Sequence, residues 1–131
     1  MRTKYKPIFS TVELQRRYDS GERDFTDSDF EENKFEDLNL EAANFEGSWF
    51  HSSEFNACNL KNVNFKNCNM KCCYFQDSNL SGANFEHASI DGADFNNCDL
   101  VNSNFNHCGW YGHNLTTKAF LTEMEKKNNS V

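Results

Sequence analysis

Every fifth residue from Phe25 to Leu115 is large and apolar, nineteen in succession, and the register never slips. A period of five fits neither regular element. It advances about 140° per step around an α-helix and alternates faces along a straight strand. The chain must therefore bend once per repeat.

Two residues before each centre stands a small side chain, as at Ala43, Ser48, Ser53, Cys58, Cys68, Ala83 and Ala88. A spacing of two puts both side chains on one side of an extended segment, with the residue between them facing out. That middle residue is mostly Asn or Asp, as at Asn39, Asn44, Asn59, Asn64, Asn79, Asn84 and Asp99. Each repeat thus reads as a three-residue strand followed by a two-residue polar corner.

A second period of twenty lies over the first. Phe25, Phe45, Phe65, Phe85 and Phe105 form one column, while Phe30, Phe50, Met70, Ile90 and Trp110 form a mixed second one. The third is Phe35, Phe55, Phe75, Phe95 and Leu115, and the fourth is Leu40, Leu60, Leu80 and Leu100. Residues twenty apart stack if four sides close a square, and parallel strands about 4.8 Å apart let like rings pack on one another. The expected fold is an all-β solenoid of four to five coils, with a right-handed sense because parallel crossovers take that hand.

Small residue, Asn or Asp, then Leu or Phe with two variable positions resembles the pentapeptide-repeat family over roughly residues 23–115. The resemblance implies a right-handed quadrilateral parallel β-helix. It also implies a short helix ahead of an entry segment like Gly21 to Phe25. The chain divides accordingly into an arm and capping helix (1–22), a β-helix (23–115) and a C-terminal helix with a frayed tail (116–131).

The segments outside the repeat read as lids. Met1 to Lys6 is a basic arm closed off by Pro7. A helix over about Thr11 to Ser20 starts from Ser10 as N-cap, with Glu13 as capping-box partner and Phe9 and Leu14 as a hydrophobic staple. Val12, Leu14 and Tyr18 give it apolar surface, and Gly21 stops it. It should cover the open end of the solenoid, where Arg23, Asn33 and Leu38 depart from the small inward pattern. At the other end Thr116 to Lys127 reads as a helix carrying Ala119, Phe120, Leu121 and Met124 on one side. Folding back over the last coil leaves a monomer, and pairing with the same helix of a second molecule makes a dimer; the monomer is favoured.

The charge is uneven. From Asp24 to Leu115 the chain holds fifteen Asp and Glu against four Lys and Arg, and nine of those acids lie between Asp24 and Glu46. This argues against nucleic acid or an anionic membrane as partner. No apolar run reaches the length of a membrane span and the N-terminus has no apolar leader core, so a cytoplasmic location is expected.

Cys58, Cys68, Cys73, Cys98 and Cys108 occupy small inward positions, and same-column cysteines are two coils, roughly 10 Å, apart, beyond disulfide reach. They read as core filler in a reduced, intracellular protein, with Cys72 the exposed, reactive thiol. His87 and His107, twenty apart, should be stacked neighbours on an outer corner without an assured third ligand, so no metal and no cofactor is expected. His113 takes an inward position in the last coil. Phosphate loops, zinc-protease patterns and nucleophile elbows are all missing, so no enzyme activity is expected.

Surface recognition is what remains. Trp49, Tyr74 and Tyr111 are outward aromatic residues, and with His51 and Lys71 they mark an interaction surface around the second column. The leading function is a non-enzymatic scaffold that binds an unidentified protein partner. A second reading comes from the resemblance, which includes DNA-mimicking members that bind or protect type II topoisomerases such as gyrase. The resemblance and the thiol usage suggest a bacterial source.

Overall fold

The computed structural model describes residues 6–7 and 10–129. The ring columns form as the two periods require. In the first column successive centroids are 5.6, 5.7, 5.0 and 4.6 Å apart from Phe25 to Phe105, with planes within 26° of parallel. The third column, Phe35 to Phe95, stacks at 4.4, 4.8 and 4.8 Å. Neighbouring columns meet edge to face, as Phe65 does with Phe50 and Phe55. Offset stacks within a column and T-shaped contacts between columns are the two favourable ring geometries, so one square section satisfies both.

The corners are set by backbone shape. From Asp27 to Gly112 every fifth residue, two after each centre, has φ between +52° and +82°. On three of the four sides the N–H three residues after the centre donates back to the centre's carbonyl, as from Ser48 to Phe45 and from Ala43 to Leu40, both at 3.0 Å. That combination is the pattern of a type II turn.

The sides are not alike, which departs from the expectation of four equivalent three-residue strands. Only the third column builds a ladder, from β3 (Lys34–Glu36), β4 (Glu54–Asn56), β5 (Tyr74–Gln76) and β6 (Asp94–Asn96), paired in parallel with a register of twenty. The other sides touch through single bridges such as Asn44 to Asn64. On the first and fourth sides the difference follows from the residue before the centre, which is Asn or Asp throughout. Where it is Asn, its Oδ1 accepts the N–H two residues on, as from Glu46 to Asn44 and from Lys66 to Asn64, and this Asx turn takes that N–H away from the neighbouring coil. Where it is Lys34, Glu54, Tyr74 or Asp94, the strand continues.

The small inward residues do more than leave room. The thiols of Cys58, Cys68, Cys73 and Cys108 donate to the carbonyls of Phe35, Phe45, Phe50 and Phe85 in the coil before, at 2.9–3.2 Å. The hydroxyls of Ser48 and Ser53 make the same bond to Phe25 and Phe30. Cys58, Cys68, Cys73 and Cys108 are buried and all six cysteines are free, while Cys98 is only partly covered.

The N-terminal lid replaces a missing coil bond by bond. Helix α1 (Thr11–Asp19) starts on Ser10, whose hydroxyl accepts the Glu13 N–H at 3.1 Å; the Glu13 carboxylate is held by Arg16. It ends in a Schellman motif, with Glu22 N–H on Arg17 carbonyl, Gly21 N–H on Tyr18 carbonyl and Gly21 at φ +105°. Leu14 and Tyr18 face the core. The Gln15 side chain then stands in for a strand, accepting from the Asn39 N–H and donating to the Asn39 carbonyl, each at 3.2 Å. Tyr18 O–H donates to the Glu41 carbonyl at 2.7 Å, and Arg23 lies over the Tyr18 ring.

Two expectations change here, and a third is untested. Val12 is 78% exposed, because it lies well over half a turn from the Leu14–Tyr18 stripe. The staple at Phe9 lies outside the described residues. Lys6 is not part of a free arm: Lys6–Pro7 forms β1, which pairs in parallel with β2 (Ser28–Asp29) and covers that edge.

The last coil also differs. Strand β7 (Cys108–Trp110) is followed by a reversal, and β8 (His113–Leu115) runs antiparallel to it. His113 is therefore exposed instead of inward, and Leu115 leaves the third column. Gly112, at φ +82°, and Tyr111, at +49°, supply the reversal. Helix α2 (Thr117–Asn129) then crosses the open end, its first turn capped by the Thr116 hydroxyl on the Ala119 N–H. Phe120 is 3% exposed, stacked on Phe105 at 3.8 Å and edge-on to Phe95 at 5.4 Å, so the ring ladder closes on a helical residue. Thr117 Oγ1 accepts the Phe105 N–H, and the Leu115 carbonyl accepts that of His107. The helix folds back on its own coil.

Candidate interaction surface

The outward aromatic residues do not form one patch. Trp49 is half-buried, its indole N–H donating to Glu31 Oε1 at 3.3 Å and its ring 6.1 Å from that of His51. Trp49, His51 and Glu31 therefore make one cluster low on the rod. Lys71 is exposed one coil further on. Tyr74 is 36% exposed and donates its hydroxyl to Gln76. Tyr111 is 64% exposed beside Trp110, three coils above Trp49, or about 14 Å at the spacing of parallel strands.

The Trp49 cluster has the residue types of a hydrolase triad but not its geometry. Ser52 Oγ and Glu31 Oε1 both approach the same His51 nitrogen, Nδ1, at 3.1 and 3.7 Å, so the imidazole cannot relay a proton from one to the other. The interior offers no alternative, since the centres from Phe25 to Phe85 are all within 2% of complete burial.

His87 and His107 stack as the period of twenty requires, with centroids 5.1 Å apart and planes 13° from parallel. Among the described residues no group of three or more His, Cys, Asp or Glu side chains could hold a metal ion. Nor is any helix among them long and apolar enough to cross a membrane. Burial pushes the inward thiols up: Cys108 to about 12, and Cys68 and Cys73 strongly in the same direction. A neutral thiol is a poor nucleophile and a poor ligand, so these cysteines fill space and donate to carbonyls.

Alternating charges on neighbouring corners give one ion pair, Lys66 with Glu86 at 3.7 Å. Glu41 and Glu46 accept instead from the amides of Asn59 and Asn64. Those amides also donate to Asn39 and Asn44, so one Asn–Asn rung joins the first two coils in each of these columns.

What sequence reasoning missed lies at the C-terminal end. A cavity of about 320 Å³ opens between α2 and the last coil, walled by Ala93, Asp94, Trp110, Tyr111, Met124 and Lys127. A second of about 320 Å³ lies on the far side of Asp94 and Lys127, beside Tyr74 and Phe95. Lys127 reaches from the helix to the Asp94 carboxylate and separates the two. The sequence signal was present in part: Phe120 continues the count of five beyond Leu115 and fixes where α2 docks.

The geometry agrees with known proteins. A family model described as "Pentapeptide repeat region" matches residues 48–122, and a second, "Pentapeptide repeats (8 copies)", matches residues 24–62. No curated protein matches the sequence. Among solved structures, a pentapeptide repeat protein from the Arabidopsis thaliana thylakoid lumen superposes with a TM-score of 0.66 at 20% identity, over 76% of this chain and 70% of that one. A pentapeptide repeat protein from Nostoc PCC 7120 gives 0.60 at 16% identity, over 91% and 96%. The plasmid-mediated fluoroquinolone resistance protein QnrB1, trypsin-treated, gives 0.37 at 17% identity over 80% and 78%. The described residues have coils of four sides, corners in left-handed backbone and a helix at each end, and with a family model over more than half of its length the chain belongs to the pentapeptide-repeat family.

Proposed function

We propose that this protein is a non-enzymatic scaffold that acts by binding another protein. The observation that carries the reading is the division of labour between inside and outside. Among the described residues the interior is filled by stacked rings and small side chains, leaving no chamber for a substrate, while exposed Tyr111 stands beside half-buried Trp110 and the C-terminal helix. Trp49 contributes less than its exposure in sequence suggests, because Glu31 and His51 hold it.

The acidic collar of the first coil suits a protein partner better than a polyanion. The free, mostly buried thiols fit a reducing compartment, and we place the protein in the cytoplasm. Coverage of the last coil by α2 fits a monomer.

The test is affinity capture from a lysate with wild type, Trp49→Ala and Tyr111→Ala as baits. Loss of a partner with Tyr111→Ala and its retention with Trp49→Ala is the expected result. Identical partners for all three baits, or none for any, refutes the surface.

A further inference from the structure

We propose that the open edge of β6 is a docking slot for one extended segment of a partner protein, added as a fifth strand to the β3–β6 sheet. The inference rests on the scaffold reading and names where and how the partner binds.

The slot is defined by bonds the repeat makes everywhere else. Each centre donates its N–H to the next coil, as Phe45 does to Asn64; the residue two later does the same, as Gly47 does to Lys66. The carbonyl two before the centre accepts from the next coil, as Ala43 does from Asn64. Above β6 there is no next coil, because β8 has turned away to pair with β7. Among the described residues, the Phe95 and Asn97 N–H groups and the Ala93 carbonyl consequently have no bonded partner. Gln15 and β1 serve edges at the N-terminal end, and Thr117 and Leu115 those above the first column. Above the fourth column the Leu100 and Asn102 N–H groups are open as well, but there is no three-residue strand there. Among the described residues at the C-terminal end, β6 alone presents the edge of a continuous sheet. Donor, donor and acceptor at strand spacing are what an extended backbone satisfies, and what strand addition to a sheet edge uses.

The side-chain preference follows from what α2 already occupies. Phe120 lies against Phe95, so the residue opposite Phe95 must be small. Two residues earlier, opposite Ala93, the cavity of about 320 Å³ has Trp110, Tyr111 and Met124 on one part of its wall and Asp94, Glu123 and Lys127 on the other, and it takes a large side chain such as an aromatic ring. Residues two apart on a strand share a face. The fitting segment therefore reads large, variable, small, the reverse of the protein's own small, polar, large. Lys127 on Asp94 spans the slot, and lysine over an exposed strand is how edges are kept from indiscriminate pairing. The entering strand displaces it.

The probe is a synthetic peptide, acetyl-Lys-Thr-Phe-Thr-Ala-Thr-Lys-amide, at up to millimolar concentration, with backbone amide exchange followed by NMR on the intact protein. Phe95 and Asn97 should exchange at least tenfold more slowly with the peptide. The order-reversed peptide, with Ala and Phe exchanged, and the Phe-N-methylated peptide should not protect. Tyr111→Ala, at an exposed position, should weaken the effect severalfold with the fold intact. Unchanged exchange at both amides overturns the slot even if affinity capture finds a partner at Tyr111. Protection that rises with protein concentration alone means a second copy holds the edge, and also overturns it. Protection by the peptide without any captured partner would leave the slot standing and refute the scaffold reading.

Discussion

Replacing Phe65 with alanine should cut the molecule at its waist. Phe65 is fully buried, stacked between Phe45 at 5.7 Å and Phe85 at 5.0 Å, with three further rings meeting it edge to face. Deleting a buried phenyl ring costs about 3–5 kcal/mol when the surroundings cannot collapse, and a backbone fixed by corners on four sides has little freedom to do so. Phe65→Leu keeps most of the volume and loses two stacked pairs, about 1–3 kcal/mol. Against a total of about 5–15 kcal/mol for a domain, the alanine variant loses a large share of its stability.

A solenoid is held together only by contacts between successive coils, so the position of the damage matters as well as its size. Trp49 lies below Phe65 and Trp110 above it, and single-tryptophan variants turn each into a reporter of its own end. Urea unfolding followed by fluorescence should give coincident midpoints in the parent and separated midpoints in Phe65→Ala. A loss below about 1 kcal/mol, or midpoints that stay together, would refute the ring column as the source of cohesion.

Four other outcomes are expected. Phe120→Ala should cost about 3 kcal/mol or more and speed amide exchange at Phe105 and His107 first, because it lifts the C-terminal lid. Gln15→Ala should cost about 1–2 kcal/mol and expose the Asn39 amide to exchange, which hydrogen-exchange mass spectrometry can localise to the first coil. Stability should fall with alkali: the unfolded state releases thiol protons near the ordinary 9.0, the folded state holds that of Cys108 to about 12. Stability present below pH 9 is thus lost through the window above it, at about 1.4 kcal/mol per pH unit for each such thiol, and Cys108→Ala should flatten the slope measured by urea titration. Excess protein should leave gyrase supercoiling unchanged on an agarose gel, since the acids concentrate in the first coil instead of along a face.

The fold was legible because its two periods, five and twenty, are written in residue type and need no knowledge of distance. Helix α1 was legible from Ser10, Glu13 and Gly21 for the same local reason. Three features were not. The loss of strand pairing on the first and fourth sides depends on Asx turns made by the residue before the centre, a competition between side chain and neighbouring strand that hydropathy does not record. The reversal at Tyr111 and Gly112 overrides an apolar pattern that still reads Leu115 as a centre. The pairing of Gln15 with Asn39 joins residues twenty-four apart that no repeat relates. As for the surface, exposure of Trp49 could be guessed from its position, but its capture by Glu31 could not, since that contact links different coils.

The left-handed corners carry a consequence for how such a molecule can vary. A backbone that turns the same way over Asp27, Ala42, Ser52, Cys72 and His87 does not depend on which side chain stands there. Each corner file is then a column of writable sites beside a fixed frame, and the frame sets the pitch at which any message is read. The file is not wholly free: a methyl at Gly47 would come within 2.4 Å of the Asp27 carboxylate, and one at Gly82 within 2.1 Å of the Asn62 amide oxygen. Glycine in one lap thus decides how far the side chain beneath it can lean, so that neighbouring laps edit one another's outlines without disturbing the aromatic interior.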